Sequence, residues 1–240
     1  MKNKFLDKNF LIVIPARAGS KGIKHKNIIN VNGKPLIEYT INFAKKLTIN
    51  MDILVSTDSN KIAKISRSLG ASCPFLRPKS LSTDLIGDMP VVRHALLELE
   101  KFNDKQYAFV ILLQPTSPVR SEKQIYDAIE AIVKNKYDSI ISVSPVSDKY
   151  HPYKQFELSN NLLKPFSNIA SRIIARQQLS KSYIRNGIVY IFSRSFALRS
   201  SSVFSKNSGY TIIYEPYINI DTTDDLANFK DMLQNQKQNK

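Results

Sequence analysis

Short continuous apolar runs that alternate with segments of helical periodicity constrain this chain most. Phe10–Pro15 (FLIVIP) is apolar at every position, the pattern of a parallel strand covered on both faces. Over residues 33–47, Leu36, Ile37, Thr40, Ile41, Phe43, Ala44 and Leu47 recur at helical spacing, and residues 52–56 (DILVS) read as a second strand. Residues 60–69 form a helix with Ile62, Ile65 and Leu69 inward and Gly70 at its stop. A further helix is predicted over 88–102, with Asp88 capping and Pro90 in the first turn. A strand over 107–113 follows, then a helix over 121–135 opened by a Ser121/Gln124 capping box, then a strand over 138–143. Apolar alternation resumes over 183–192 and 210–220, and a helix over 222–234 closes the pattern. Such alternation predicts an α/β fold, a three-layer α/β/α Rossmann-like sandwich with a mainly parallel sheet.

Residues 145–182 break the pattern, with Pro145, Pro152, Pro165 and Ser-Asn clusters but no sustained periodicity. A structureless loop of that length is uncommon inside a compact domain. The reading is a core of residues 1–144 and 183–240, with 145–182 as an inserted arm or lid.

The chain of 240 residues is 42% hydrophobic, enough to bury one full core. Its formal charge of +15 and pI near 9.8 suit an anionic partner. Much of the excess lies in scattered lysines and in the segments MKNK and KDMLQNQKQNK, where a solvated surface explains it. No helix-turn-helix spacing, zinc finger or basic stripe with stacking aromatics appears, so nucleic acid is not the expected partner. No apolar run reaches the ~18 residues of a membrane span, and MKNKFLDKNF lacks the features of a signal peptide. A cytoplasmic protein is expected, without membrane attachment. Cys73 is read as a packing residue, and His25, His94 and His151 show no ligand or triad spacing.

The excess charge concentrates at one informative place. IPARAGSKGIKHKNI, residues 14–28, follows the first strand directly and combines glycines with Arg17, Lys21 and Lys26. In open α/β sheets ligands bind beyond the carboxyl ends of strands, and glycines let backbone N–H groups approach phosphate oxygens. Arg17, Lys21 and Lys26 would neutralise a triphosphate, with Ser20 adding a hydroxyl donor. The stretch is neither a Walker A loop nor a G-x-G-x-x-G turn, and taken alone it also fits a basic surface turn.

The same residues resemble the nucleotide-binding motif of the acylneuraminate cytidylyltransferases, the CMP-sialic acid synthetases, including the bacterial CMP-legionaminic and CMP-pseudaminic acid types. LRP (76–78), LSTD (81–84), LQPTSPVRS (113–121), RNGIVYI (185–191) and IDTTDDL (220–226) occur in that family's order across nearly the whole chain. The resemblance implies a nucleotidyltransferase fold with a protruding dimerisation arm. It implies a reaction in which the anomeric hydroxyl of a free nonulosonic acid attacks the α-phosphorus of CTP, giving the CMP-sugar and pyrophosphate. Ala16, Arg17, Ser20, Lys21 and Lys26 would hold the triphosphate, with Arg17, Lys21 and Asp221 the catalytic set. Asn27, Arg77 and Ser82 would orient cytosine and ribose, with Asp84 supporting that loop. Gln114, Thr116, Ser117, Arg185 and Asn186 would meet the sugar acid, and Asp221 would bind Mg²⁺. Read without the resemblance, Gln114 and Thr116 fit a turn before Pro118, and Asp221 fits a helix-start acid, as Asp224 and Asp225 do. The resemblance further implies a homodimer, with Arg172, Arg176 or Lys164 of the arm acting in trans.

Two positions depart from the family's pattern. Asn219 stands where Ile-Asp-Ile-Asp is common, leaving a weaker metal-ligand candidate. Ile184 stands where some relatives place an arginine, and the neighbouring Arg185 faces the other way on a strand, so the identity of the acid stays open. The alternatives are a Kdo-type cytidylyltransferase, against which Gln114 to Ser117 argues because that family carries Gly-Asp-Glu-Pro there, and an inactive CTP-binding relative.

Overall fold

The computed structural model describes residue 5, residues 7–168 and residues 175–238. In chain order the strands are β1 (Phe10–Pro15), β2 (Asn30–Val31), β3 (Lys34–Pro35), β4 (Met51–Ser56), β5 (Phe109–Leu112), β6 (Ser139–Pro145), β7 (Phe156–Ser159), β8 (Leu162–Pro165), β9 (Tyr183–Ser193) and β10 (Ser208–Ile212). The helices are α1 (Leu36–Ala44), α2 (Asn60–Ser68), α3 (Asp88–Asn103), α4 (Glu122–Asn135), α5 (Arg194–Arg199) and α6 (Thr223–Gln238).

Six strands form the central sheet in the order β10-β6-β9-β5-β1-β4. β1 pairs parallel with β4 and β5, and β10 pairs parallel with β6, whereas β9 runs antiparallel to both its neighbours. The sheet is therefore mainly parallel and lies between helix layers, as the alternation predicts. Along β1, Phe10, Ile12 and Ile14 face α1, α2 and α4 through Ile37, Ile41, Ile62, Ile125 and Ile129. Leu11 and Val13 face α3 and α5 through Met89, Val92, Leu96 and Phe196. Both faces are dry, which is why the run reads as continuously apolar.

Several boundaries differ from the periodicity. α1 starts at Leu36 because Asn32 (φ 50°) and Gly33 (φ 85°) form the two-residue turn between β2 and β3. Asn-Gly is a strong hairpin signal, and both positive φ values suit a primed turn. α3 is capped by Gly87, so Asp88 is its first helical residue and its carboxylate is not used as a cap. The expected Ser121/Gln124 capping box opens α4. β10 ends at Ile212, and the alternation beyond it belongs to an extended connection containing Pro216. That connection is pinned where Ile213 N–H donates to the Val143 carbonyl (2.8 Å) and Ile220 N–H to the Thr116 carbonyl (2.7 Å).

The irregular segment closes at its neck, where Val146 N–H donates to the Ser182 carbonyl (2.9 Å). Beyond the neck, β7 and β8 pair as a separate antiparallel hairpin through Asn160 (φ 51°) and Asn161 (φ 60°). Phe156, Leu158 and Leu163 share one face of this hairpin and are all exposed, Leu158 at 83%. Arg172 lies outside the described residues, as does the side chain of Arg176, while Lys164 is exposed on β8.

A smaller apolar cluster joins the two ends of the chain: Ile23, Val31 and Leu36 pack with Ile220, Leu226 and Phe229 of the C-terminal segment. Phe229 is 1% exposed and meets the Tyr39 ring edge-on at 5.2 Å. Truncating a buried aromatic costs about 3–5 kcal/mol. Phe229→Ala is accordingly expected to lower the midpoint of thermal unfolding by roughly 6–20 °C at the 2–4 °C per kcal/mol of a chain this size, read by differential scanning calorimetry.

Candidate active site

The carboxyl ends of β1 and β5 open on a cleft of about 410 Å³. Arg17, Ser20, Lys21, Lys26, Asn27, Arg77, Asp84, Gln114, Thr116 and Asp221, all expected site residues, line it, and Asp88 lines it too. Residues more than two hundred positions apart in the chain meet here because parallel strands deliver their exits to one edge.

The basic turn is held from three sides. Ala16, fully buried, extends the β1–β4 ladder as its N–H donates to the Ser56 carbonyl (2.9 Å). Ala18 N–H donates to Asp58 Oδ1 (2.8 Å) and Asn27 Nδ2 to the Arg17 carbonyl (3.0 Å). Lys26, with a side chain 14% exposed, donates to the Ile220 carbonyl and to Asp221 Oδ1, both at 2.9 Å. Gly22 completes the closure, since a Cβ there would stand 2.6 Å from the Asp221 backbone oxygen. Asn27 thus ties the turn together as well as lining the cleft.

Asp84 gathers the exposed cations. Its carboxylate meets Arg17 Nη2 at 2.6 Å and Lys21 Nζ at 2.9 Å, and the hydrogen bond from Lys21, with that from Arg17, holds the carboxyl below its ordinary range. Arg77 is 5% exposed; its N–H donates to the Thr57 carbonyl (2.7 Å) and its Nε to Ser82 Oγ (3.1 Å). Burial lowers the Arg77 pKa, and nearby Asp58 opposes the shift. Ser82 therefore positions Arg77 in the cleft, and itself lines an adjoining hollow with Arg17, Ser20 and Asp84.

On the opposite wall, the 114–120 turn is fixed by Arg120, whose Nη2 donates to the Gln114 carbonyl (2.8 Å) and Nη1 to Thr40 Oγ1 (3.2 Å). Gln114 presents its amide to the cleft against Gly187, where a Cβ would lie 3.0 Å from Gln114 Oε1 and 2.6 Å from Ser117 Oγ at a φ of +71°. Ser117 and Asn186 do not face the cleft as expected. Ser117 is fully buried and donates to Asn219 Oδ1 (3.1 Å). Asn186 is 1% exposed and spends its amide on Ser142, Ser144 and the Ile188 N–H, closing the register slip between β9 and β6. Their role is to shape the wall, because a bulge in the sheet needs its polar groups satisfied internally. Arg185 is exposed, with its guanidinium over the Phe204 ring at 5.6 Å.

Asp221 is a 64% exposed carboxylate gripped by Lys26 and by Asn219 Nδ2 (2.9 Å). Asn219 turns its amide nitrogen to Asp221 and its oxygen, the weaker of the two expected metal ligands, to Ser117. Among the described residues no group of three or more His, Cys, Asp or Glu side chains gathers as a metal cage. Mg²⁺ needs no such cage when one or two carboxylates and substrate phosphates hold it, and Asp221 fits that role as a single protein ligand. Asp225 is a helix-start residue, accepting from Thr222 and from the Asp221 N–H, bonds that hold its pKa down. Asp58, Gly187 and Arg120 were not legible as site-building residues, since each acts through partners distant in sequence or hidden in a turn that only the fold brings near.

Among the described residues no helix is long and apolar enough to cross a membrane. Residues 11–237 match the family model described as cytidylyltransferase. The chain is 36% identical over 206 residues to post-translational flagellin modification protein B of Campylobacter coli, covering 85% of this chain and 86% of that protein. It is 36% identical over 219 residues to CMP-N,N'-diacetyllegionaminic acid synthase of Legionella pneumophila, covering 90% of this chain and 93% of that one. Among solved structures, a CMP:2-keto-3-deoxy-manno-octonic acid synthetase complexed with CTP superposes with a TM-score of 0.72 at 14% identity, covering 95% of this chain and 99% of that one, a likeness of fold. For the present chain, Gly22→Ala forces the basic turn off the Asp221 backbone. A loss of CTP affinity of about tenfold or more is expected by isothermal titration, the scale of one or two lost charge-assisted bonds, with an unchanged far-ultraviolet circular dichroism spectrum.

Proposed function

Because the chain belongs to the cytidylyltransferase family, we propose that it joins CTP to a free nonulosonic acid of the legionaminic, pseudaminic or sialic type, releasing pyrophosphate. The observation that carries this reading is one cleft with Arg17, Lys21 and Lys26 on one wall and Gln114 on the other. Such a wall of cations suits a triphosphate, and the opposite wall offers an amide at hydrogen-bonding reach for a polyhydroxylated acid.

In this mechanism Arg17 and Lys21 exchange Asp84 for phosphate oxygens. They offset the charge that grows on the pyrophosphate as its bond to the α-phosphorus breaks. Lys26, fixed by Ile220 and Asp221, is a cation that cannot swing away, and Arg77 with Asn27 borders the space for the nucleoside. Gln114 orients the acid so that its anomeric hydroxyl lies in line with the α-phosphorus, a contribution of position. Mg²⁺, bound by Asp221 and the phosphates, would supply further charge neutralisation.

The reading includes a homodimer and a cytoplasmic location. An isolated two-stranded hairpin is marginal in water, so the exposed Phe156, Leu158 and Leu163 face of the β7–β8 arm suits cover by a second copy. CTP is a cytoplasmic nucleotide, which fits the location.

The test is mass spectrometry of products formed from CTP and a panel of acids, alongside pyrophosphate release. A CMP-nonulosonic acid is expected, with Lys21→Ala reducing kcat/KM by roughly 10²–10³-fold, the scale of one lost transition-state contact. Turnover of Kdo with no nonulosonic acid would reverse the substrate assignment. CTP binding without any turnover would mark a nucleotide-binding relative.

A further inference from the structure

Three aspartates line the cleft, Asp84, Asp88 and Asp221, and two of them are spoken for. Asp84 holds Arg17 and Lys21, and Asp221 holds Lys26 and Asn219. The Asp88 carboxylate has no hydrogen bond and no ion pair to the described residues, and with Gly87 as the cap of α3 it is not used as a cap. Val91, one turn further along α3, lines the same cleft, as do Gln114 and Pro115. The charge that acts on Asp88 is Arg185, which also acts on Tyr190, while burial pushes the Asp88 carboxyl above its usual range.

A half-buried carboxylate that faces the cleft with no protein donor is an incomplete site, because burial weakens its hydration and a donor on the ligand restores the missing bond. The donor it lacks must come from whatever fills the cleft. Of the groups a nonulosonic acid carries, its own carboxylate is repelled by Asp88 and suits Arg185. Hydroxyls both donate and accept, and are met equally well by an amide such as Gln114 or by water. An acylamino N–H is a donor only, and a carboxylate is an acceptor only, so the two are matched.

We propose that Asp88 accepts the N–H of an acylamino substituent on the sugar acid, and so selects acylamino acids over analogues that carry hydroxyls alone. The inference rests on the nonulosonic acid reading and adds to it the residue that recognises the nitrogen substituent. Asp88 acts here as a specificity residue that touches substrate and takes no part in the transfer.

The experiment measures kcat/KM with CTP for three acids: N,N'-diacetyllegionaminic acid, N-acetylneuraminic acid, and the nonulosonic acid with a hydroxyl in place of the acetamido group. Wild type, Asp88→Ala and Asp88→Asn are compared. Asp88→Ala is expected to lose about tenfold to a hundredfold for the better acylamino substrate and under about threefold for the hydroxyl analogue, as loss of a charge-assisted bond dictates. Asp88→Asn, which keeps an acceptor oxygen, is expected to fall between wild type and Asp88→Ala, with KM for CTP unchanged in both. An equal loss on all three acids makes Asp88 catalytic or structural and overturns the inference, as does no loss on any. Wild-type enzyme that turns over none of the three removes the nonulosonic acid reading itself, and the inference with it.

Discussion

The link from Lys26 to the Ile220 carbonyl and the Asp221 carboxylate is the constraint on which the site depends. A basic turn repels itself, and a lysine on a four-carbon stem has rotamer freedom to lose when it is fixed. Two acceptors at 2.9 Å hold this one, and the close approach of Gly22 to the Asp221 carbonyl leaves no room for the turn to drift. The cluster of Ile23, Val31, Leu36, Ile220, Leu226 and Phe229 supplies the apolar floor beneath. The position of the basic turn is therefore set by the last connection and helix of the described chain as much as by the strand that feeds it.

The three-layer fold was legible because dry strands write themselves as unbroken apolar runs, as β1 and β5 do, and because the intervening helices carry a one-sided stripe. The basic turn at the cleft was legible for the same local reason: glycines and cations crowd one short exit from a strand. What local pattern does not contain is direction and partner. β9 reads as a strand, yet nothing in its own residues states that it runs against its neighbours. Asn186 looks like a ligand group and its amide is instead spent within a register slip, while Ser117 turns inward to Asn219, since polar side chains that brace a wall and those that face a ligand have the same composition. The alternation through Pro216 resembles a strand until its bonds to Val143 and Thr116 show it bridging two elements. The Asn32–Gly33 turn is different, because its signal was present and lay hidden at the start of a helical stripe.

The charge distribution of the cleft follows a similar economy. Arg17 and Lys21 are held by Asp84, Lys26 by Asp221, so the cations that would receive phosphate are already aligned by carboxylates. Exposed pairs of this kind contribute little to folding. Their consequence is orientation: side chains that would otherwise sample many rotamers stand near the geometry a polyanion needs, which reduces the entropy lost on binding. Arg120 serves the other wall by the opposite device, a guanidinium bound to a carbonyl and a hydroxyl, with no carboxylate among its described partners.

The reversed course of β9 carries a consequence for the whole molecule. Since β6 leaves the sheet at its carboxyl edge and β9 returns from that edge, the excursion between Pro145 and Tyr183 must emerge on the rim where the cleft opens. Had β9 run with its neighbours, the chain would have needed a crossover to the far edge and the hairpin would have hung beneath the sheet. The hairpin and the mouth of the cleft thus share one rim of the sheet, so a change in the length of the excursion also alters the surroundings of the cleft mouth.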